Sequence, residues 1–283
     1  MIRIVSDSTC DLSPELIKRY SIEIVPLCIE LGDREYLDGV NITPDEIYVW
    51  SDANKTTPRT AAVSYDTVEK LLRRYVESGD EVICFSISDT MSTTGNVFRM
   101  AAAELKADQK IHVFNSENLS TGIGLQVIEA ALMASQGCGA DEIIRHLESI
   151  RPRVRASFVV DTLTYLHRGG RCSSVAALLG STLNLHPRIA VENGRMLATK
   201  KYRGKMPVVF TKYVHDMEPD LLTAKPDRVF ITHSGCSDEI IGQIKTYLEG
   251  LNHFDEILIT RAGCTVSSHC GPGTLGVLFI AGE

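Results

Sequence analysis

The sequence predicts a two-domain α/β protein: a parallel N-terminal sheet flanked by helices, a C-terminal domain with a mixed sheet, and a ligand between the two. Three observations carry that expectation. Strand, polar tip and helix recur through the first half, the pattern of a parallel sheet with crossover helices. Glu81 to Ile87 (EVICFSI) is a continuous apolar run of the kind found in strands covered on both faces. Beyond Arg151-Pro152-Arg153 the texture changes to a hairpin and longer loops, which places a boundary between residues 1–152 and 153–283.

Taken in order, Ile2 to Val5 is a short strand emptying into Ser6, Asp7, Ser8 and Thr9, and Ser13-Pro14-Glu15 starts a helix with a capping Ser and Pro at its first position. Ile22 to Ile29 reads as one strand. Thr43-Pro44-Asp45-Glu46 is a capping box opening a helix that contains Trp50. Asn54 to Ser64 reads as a loop of small residues, and Ser64 as the cap of an amphipathic helix through Tyr75. The strand from Glu81 runs into Ser88 to Gly95, then a helix with Val97 and Met100. Ile111 to Phe114 is the next strand, with the tip Asn115-Ser116, followed by helices Gly122 to Ser135 and Ala140 to Ile150.

In the second half, Phe158 to Val160 is a buried strand, Asp161 the expected cap of a short helix ending at Gly169-Gly170, and a second, almost wholly apolar helix starts at Ser173 or Ser174. A helix with so little polar surface is buried or lines an apolar cavity. Arg188 to Lys200 is a hairpin turning at Asn193-Gly194. A basic run, Lys200 to Lys205, leaves it. Helices at Val208 to Met217 and Ser237 to Leu251 alternate with strands at Arg228 to Thr232 and Glu256 to Thr260. A Gly/Pro-rich stretch around His269, read as irregular loop, leads into a final apolar strand.

Composition narrows the function classes. The chain has 283 residues, 44% hydrophobic and 23% charged, with formal net charge -7, so a general electrostatic attraction to nucleic acid is not expected. The start shows no signal-peptide pattern and no run reaches transmembrane length. The 8 Cys are scattered without a Cys-x-x-Cys pair, which fits reduced thiols in a cytoplasmic protein. No metal is expected: His233-x-x-Cys236 and Cys264-x4-His269-Cys270 match no structural-zinc spacing. No cofactor is expected either, since Gly169-Gly170 is neither a phosphate loop nor a dinucleotide fingerprint.

The polar tips Asp7-Ser8-Thr9, Ser88-Asp89 and Asn115-Ser116 together suggest a site, because ligands of open α/β sheets bind at the carboxyl ends of strands. Thr60, Ser92 and Thr93 are small hydroxyls in loops before helices, where a hydroxyl and backbone N–H groups bind a carboxylate or phosphate. Ser64 is read as a cap. His269, set by a Gly-Pro-Gly turn, is read as functional. Arg171, after two glycines and before the apolar helix, is placed to reach a ligand head group or a partner, whereas Arg168 reads as surface. A hydrolase could be assembled from Ser92, His269 and Asp7, but no Gly-x-Ser-x-Gly elbow presents the serine.

Several blocks make the chain resemble the DegV family of bacterial fatty-acid-binding proteins, which includes the acyl-carrier (FakB-type) subunits of fatty acid kinase. They are Ile4-Val5-Ser6-Asp7-Ser8-Thr9; Thr60 and Ser64 within PRTAAVS; Ser88 to Thr94 (SDTMSTT); SENLSTGIG from Ser116; SFVVDTLTYLHRGGR from Ser157; and His269 to Gly273 (HCGPG). The resemblance implies a long-chain fatty acid between two α/β domains, its carboxylate held by Thr60, Ser92, backbone N–H groups near Thr93, and His269. Val175, Leu178 and Leu179 of the apolar helix would line the tunnel. It implies a non-catalytic carrier that presents the carboxylate to a separate ATP-dependent kinase, with Arg171 and Arg203 serving docking or phosphoryl transfer, and transient membrane contact for ligand exchange. The alternative is a Ser/His-dependent hydrolase of acyl substrates.

Overall fold

The computed structural model describes residues 1–173 and 185–282. Two α/β domains face each other. The first is built on a four-stranded parallel sheet in the order β2-β1-β6-β7, formed by β1 (Ile2–Asp7), β2 (Glu23–Val25), β6 (Glu81–Ser86) and β7 (Ile111–Asn115). Helix α1 (Pro14–Arg19) joins β1 to β2. A small antiparallel sheet of β3 (Cys28–Leu31), β4 (Arg34–Leu37) and β5 (Arg59–Ala61) stands beside it, with α2 (Pro44–Asn54) between β4 and β5. Helices α3 (Tyr65–Glu77), α4 (Thr94–Glu104), α5 (Thr121–Ser135) and α6 (Ala140–Ile150) complete this half.

The second domain carries a six-stranded mixed sheet in the order β10-β9-β8-β13-β11-β12. Its elements are β8 (Val154–Val159), α7 (Thr164–Gly169), β9 (Leu185–Glu192), β10 (Arg195–Arg203), α8 (Met206–Asp216), α9 (Glu218–Leu221), β11 (Ala224–His233), α10 (Asp238–Gly250), β12 (Glu256–Arg261), α11 (Cys264–Cys270) and β13 (Leu275–Ala281). Among the described residues, β11 and β12 are the only neighbours in this sheet that pair in parallel. The expected apolar helix, with Val175, Leu178 and Leu179, falls at 174–184, outside the described residues.

Helix α5 is the element the domains share. Every residue from Thr121 to Ala131 is buried, in keeping with a sequence apolar around most of its circumference. It packs on β1 and β6 on one side and on β8 and β13 on the other. Gly124 lets it approach closely, since a Cβ there would lie 3.0 Å from the Cys10 carbonyl oxygen. Glu129 pins the arrangement with ion pairs of 2.8 Å to Lys225 and Arg228 of β11. Burial alone would raise its carboxyl, but Lys225, His146 and Arg228 outweigh that and hold it at about 2.

The structure departs from the sequence expectations in four places. The single strand expected over Ile22 to Ile29 is two, because Pro26 lacks an N–H and the chain leaves one sheet for another there. The loop from Asn54 to Ser64 contains β5, which pairs Thr60 with Ile29. Asp161 does not cap α7: the helix starts at Thr164, whose N–H is taken by Thr162 Oγ1 at 3.3 Å, while Asp161 faces His186. His269 lies not in irregular loop but in the last turn of α11, which ends where Gly271 takes φ 75°.

Candidate functional site

Each of the three polar strand tips has a different use. Asp7 is fully buried and spends both oxygens inside the fold, one on Thr9 N–H at 3.0 Å and the other on Ile87 N–H at 2.8 Å. Burial raises its carboxyl to about 6. Asn115 and Ser116 likewise staple loops: Asn115 Oδ1 accepts from Asp89 and Glu117 N–H, and Ser116 Oγ donates to Ser86 O at 2.7 Å. The tip after β6 differs in that Asp89 to Thr93 line the cavity that also takes in Thr60 and His269.

That tip is held from the second domain. The β9–β10 turn presents Gly194 O to Ser88 Oγ at 2.8 Å and also to Thr90 Oγ1, and Arg171 Nε donates to Met91 O at 3.4 Å. Gly194 has φ 76°, and a Cβ there would come within 2.6 Å of Ser88 Oγ, so the Asn-Gly turn serves the contact between domains as well as the hairpin.

Between the domains lies a cavity of about 550 Å³, within the span of about 300–1,000 Å³ typical of small-molecule sites. Its polar lining is Thr60, Asp89, Thr90, Ser92, Thr93, Arg171, Thr265 and His269; much of the remaining wall is apolar, including Leu27, Ile87, Met91, Leu119, Met196 and Val266. Leu119, Val266 and Cys270 also wall a second space of about 20 Å³ that points toward Phe158 and Leu278. The polar residues come from four segments: β5, the β6–α4 loop, the turn after α7, and α11.

Thr60 Oγ1 and His269 Nε2 are 2.9 Å apart, a bond that joins the domains across 209 residues of chain. On its other side the imidazole lies against Gly169. A Cβ there would fall inside van der Waals contact of Nδ1, 3.1 Å from Cε1 and 3.3 Å from Cγ. Nδ1 itself is buried without a hydrogen-bond partner. Burial, then the nearby Arg171 charge, lowers His269 to about 4, so the ring is neutral at pH 7 and does not bring a charge of its own. Ser92 Oγ accepts from Thr94 N–H at 3.3 Å and shares a 3.1 Å hydrogen bond with Thr94 Oγ1. Thr93 stands at the N-cap position of α4 without making a side-chain cap, so its hydroxyl is not used in closing the helix. Hydroxyls and a helix N-terminus around an apolar space suit an anion attached to a greasy body.

The structure thus brings Thr60, Ser92, Thr93, Arg171 and His269 to one cavity. It does not bring Arg203 there: that residue lines a separate groove with Lys200, Lys201 and Lys212. Nor does it assemble the hydrolase. His269 Nε2 faces Thr60, Ser92 pairs with Thr94, and Asp7 is engaged elsewhere, leaving the serine without a base. Ser64 occupies an N-cap position but makes no side-chain cap. Among the described residues no cluster of His, Cys, Asp or Glu could hold a metal ion, and no helix is long and apolar enough to cross a membrane. Residue-by-residue reading missed the apolar wall, since Leu27, Leu119 and Met196 are ordinary hydrophobics until the fold gathers them.

Fold and cavity define a class of two-domain α/β proteins with an apolar interdomain pocket closed by hydroxyls and a histidine. The chain belongs to the DegV family, whose model, described as an uncharacterised protein family, matches residues 1–282. It is 32% identical over 279 residues to a DegV domain-containing protein of Clostridium perfringens, covering 99% of this chain and 98% of the relative. Among solved structures it is similar to a DegV family protein of Thermus thermophilus described as binding fatty acid, with TM-score 0.90, 28% identity and 99% of each chain covered. It is also similar to a stearic-acid-binding protein of Eubacterium ventriosum, with TM-score 0.83, 26% identity and 99% and 98% of the two chains covered.

Proposed function

We propose that this protein is a non-catalytic carrier of a long-chain fatty acid, bound between a domain of residues 1–152 and one beginning at 153. The observation that carries the reading is the cavity itself, apolar along much of its wall and lined also by the Thr60–His269 pair, Ser92 and Thr93. The solved relatives from Thermus thermophilus and Eubacterium ventriosum, whose descriptions name fatty acid and stearic acid, support the ligand class. In this reading Nε2–H of the neutral His269 donates to the Thr60 hydroxyl, which is thereby turned to donate to the carboxylate together with Ser92 and N–H groups near Thr93. The tail runs along Leu27, Met91, Leu119 and Met196. Affinity then resides in the tail, at about 0.8 kcal/mol gross for each buried methylene, and register in the head.

The carrier presents the carboxylate to a separate ATP-dependent kinase in the cytoplasm. Support comes from Arg171 at the cavity mouth and from the basic groove of Lys200, Lys201, Arg203 and Lys212, a surface suited to an acidic partner. Ligand exchange would occur during transient contact with a membrane. The primary test is native mass spectrometry of the purified protein, with organic extraction of what it holds. One fatty acid per chain is expected. A protein that comes off empty and gains neither mass nor stability from added long-chain fatty acids overturns the reading. Kinase presentation is tested separately, by ATP-dependent formation of acyl-phosphate with a candidate kinase, where Arg171→Ala and Arg203→Ala are expected to slow turnover without loss of bound ligand.

A further inference from the structure

Helix α11 has 7 residues and no cap of its own, because Gly263 at its N-cap position offers no side chain. Its first backbone N–H groups therefore need acceptors from elsewhere. They find two acidic side chains from the opposite domain. Gly263 N–H donates to Asp11 Oδ1 at 2.8 Å, Cys264 N–H to Asp38 Oδ1 at 2.7 Å, and Thr265 N–H to Asp38 Oδ2 at 3.1 Å. Both acids are buried, Asp38 to 3% exposure and Asp11 to 5%.

Asp38 is the more committed of the two. Each of its oxygens accepts a backbone N–H, and Oδ2 also accepts from Ser8 Oγ at 3.0 Å. Ser8 Oγ in turn accepts from the N–H of Leu27, a residue of the cavity wall, at 3.1 Å. A negative charge at this end of a helix is also favoured by its dipole. Thr265 and His269 are four residues apart, about one helical turn. The bonds that fix the first turn of α11 therefore fix where the imidazole stands against Thr60 and Gly169.

We propose that Asp38 is a positioning residue for the head-group end of the cavity, setting His269 through the first turn of α11. Its binding readout rests on the fatty-acid reading above; its structural readout does not. The carboxylate form is required. An amide at position 38 keeps one oxygen for one N–H and turns its own N–H₂ toward the other, so that a bond is lost and two donors face each other. Asp11 is different: one oxygen takes Gly263 N–H and the other meets Ser120 Oγ, a hydroxyl that can accept from an amide as well as donate to a carboxyl oxygen. Asp38→Asn should therefore cost more than Asp11→Asn at equal volume.

The experiment compares wild type, Asp38→Asn and Asp11→Asn for affinity toward a long-chain fatty acid and toward the 1-alkanol of the same length, together with the His269 ring resonances of the ligand-free proteins. Loss of one well-placed head-group bond predicts that Asp38→Asn weakens acid binding about tenfold, with a smaller loss for Asp11→Asn and alkanol binding unchanged. The His269 signals should shift in Asp38→Asn. Equal loss for acid and alkanol, or an unchanged acid affinity with unshifted His269 signals, overturns the proposal. A wild type that binds neither ligand counts against the fatty-acid reading, and His269 resonances then decide the positioning role by themselves. If Asp38→Asn does not fold, Gly263→Ala serves, because its Cβ would stand 3.1 Å from Asp38 Oδ1 and 3.2 Å from Asp11 Oδ1 and push on both. The same acid-selective loss is expected there, and its absence is equally decisive.

Discussion

Gly169→Ala tests the head-group geometry through a residue that need not touch ligand. Gly169 is the last residue of α7, where helix propensity alone favours Ala over Gly by about 1 kcal/mol. The structure predicts the opposite sign. The added methyl would collide with Nδ1 of His269 and lie 3.1 Å from Cε1, so the imidazole must swing away from α7 or α11 must shift. Overpacking of this kind costs about 1–3 kcal/mol. Displacing the ring also breaks its 2.9 Å bond to Thr60, worth about 1 kcal/mol. We expect a net loss of roughly 1–3 kcal/mol in urea denaturation and about a tenfold loss of fatty-acid affinity, with the dependence of affinity on tail length unchanged. Gly170→Ala is the control. It too is strained, with φ 68°, but nothing lies within 4 Å of its Cβ, so stability should fall without loss of affinity. A Gly169→Ala protein that is more stable than wild type and binds fatty acid equally well would refute the packing of His269 on Gly169 and the role assigned to the ring.

The remaining predictions concern the same cavity and the contact between domains. Ser92→Ala combined with Thr60→Ala should weaken fatty-acid binding by about ten- to a hundredfold in a displacement assay and cost only about 1 kcal/mol of stability, the worth of the Thr60–His269 bond, since neither hydroxyl is buried in the core. Glu129→Gln takes from the buried Arg228 its ion-pair partner on α5 while Asp227 stays beside it, and should destabilise by about 1.5–3 kcal/mol in urea, with the domains loosening first. The pH dependence of His269 has a definite sign. Between pH 4 and 6.5 the unfolded imidazole is protonated while the folded one, lowered by burial to about 4, is not, so protons favour unfolding. Relative to His269→Gln, wild type should lose about 3 kcal/mol of stability as pH falls through that window and nothing above it. Asp7 and Asp11, raised by burial to about 6 and about 8, act in the other direction, losing stability as pH rises, and cancel in the comparison.

Local signals in the chain were enough to find most of the fold and to single out polar residues that the fold gathers round one cavity. The apolar run at Glu81 to Ile87, the capping box at Thr43 and the Asn-Gly turn each fix an element through short-range chemistry, and each element stands within a residue or so of where it was expected. Thr60, Ser92, Thr93 and His269 were legible because small hydroxyls and a histidine beside glycine-rich turns are unusual company, and they share one cavity. The errors have two causes. Pro26 splits a strand because it has no N–H to give a ladder, a local signal overridden by the apolar run around it, and β5 forms where a loop was expected because its partner β3 lies far off in sequence.

Helix α11 shows this dependence most clearly. Nothing within Gly263 to Gly271 would hold a helix in isolation: seven residues are too few for a stable helix in water and the Gly at its start cannot cap it. The stretch reads as loop because, taken alone, it would be loop. Asp11 and Asp38 supply the missing acceptors from positions more than two hundred residues away, and only in the folded domain pair. The helix that carries His269 is therefore contingent on the two domains being in place, and so is the 2.9 Å bond to Thr60. The head-group end of the cavity and the contact between the domains form together, which is why a change at Asp38, outside the cavity wall, is expected to be felt by a carboxylate inside it.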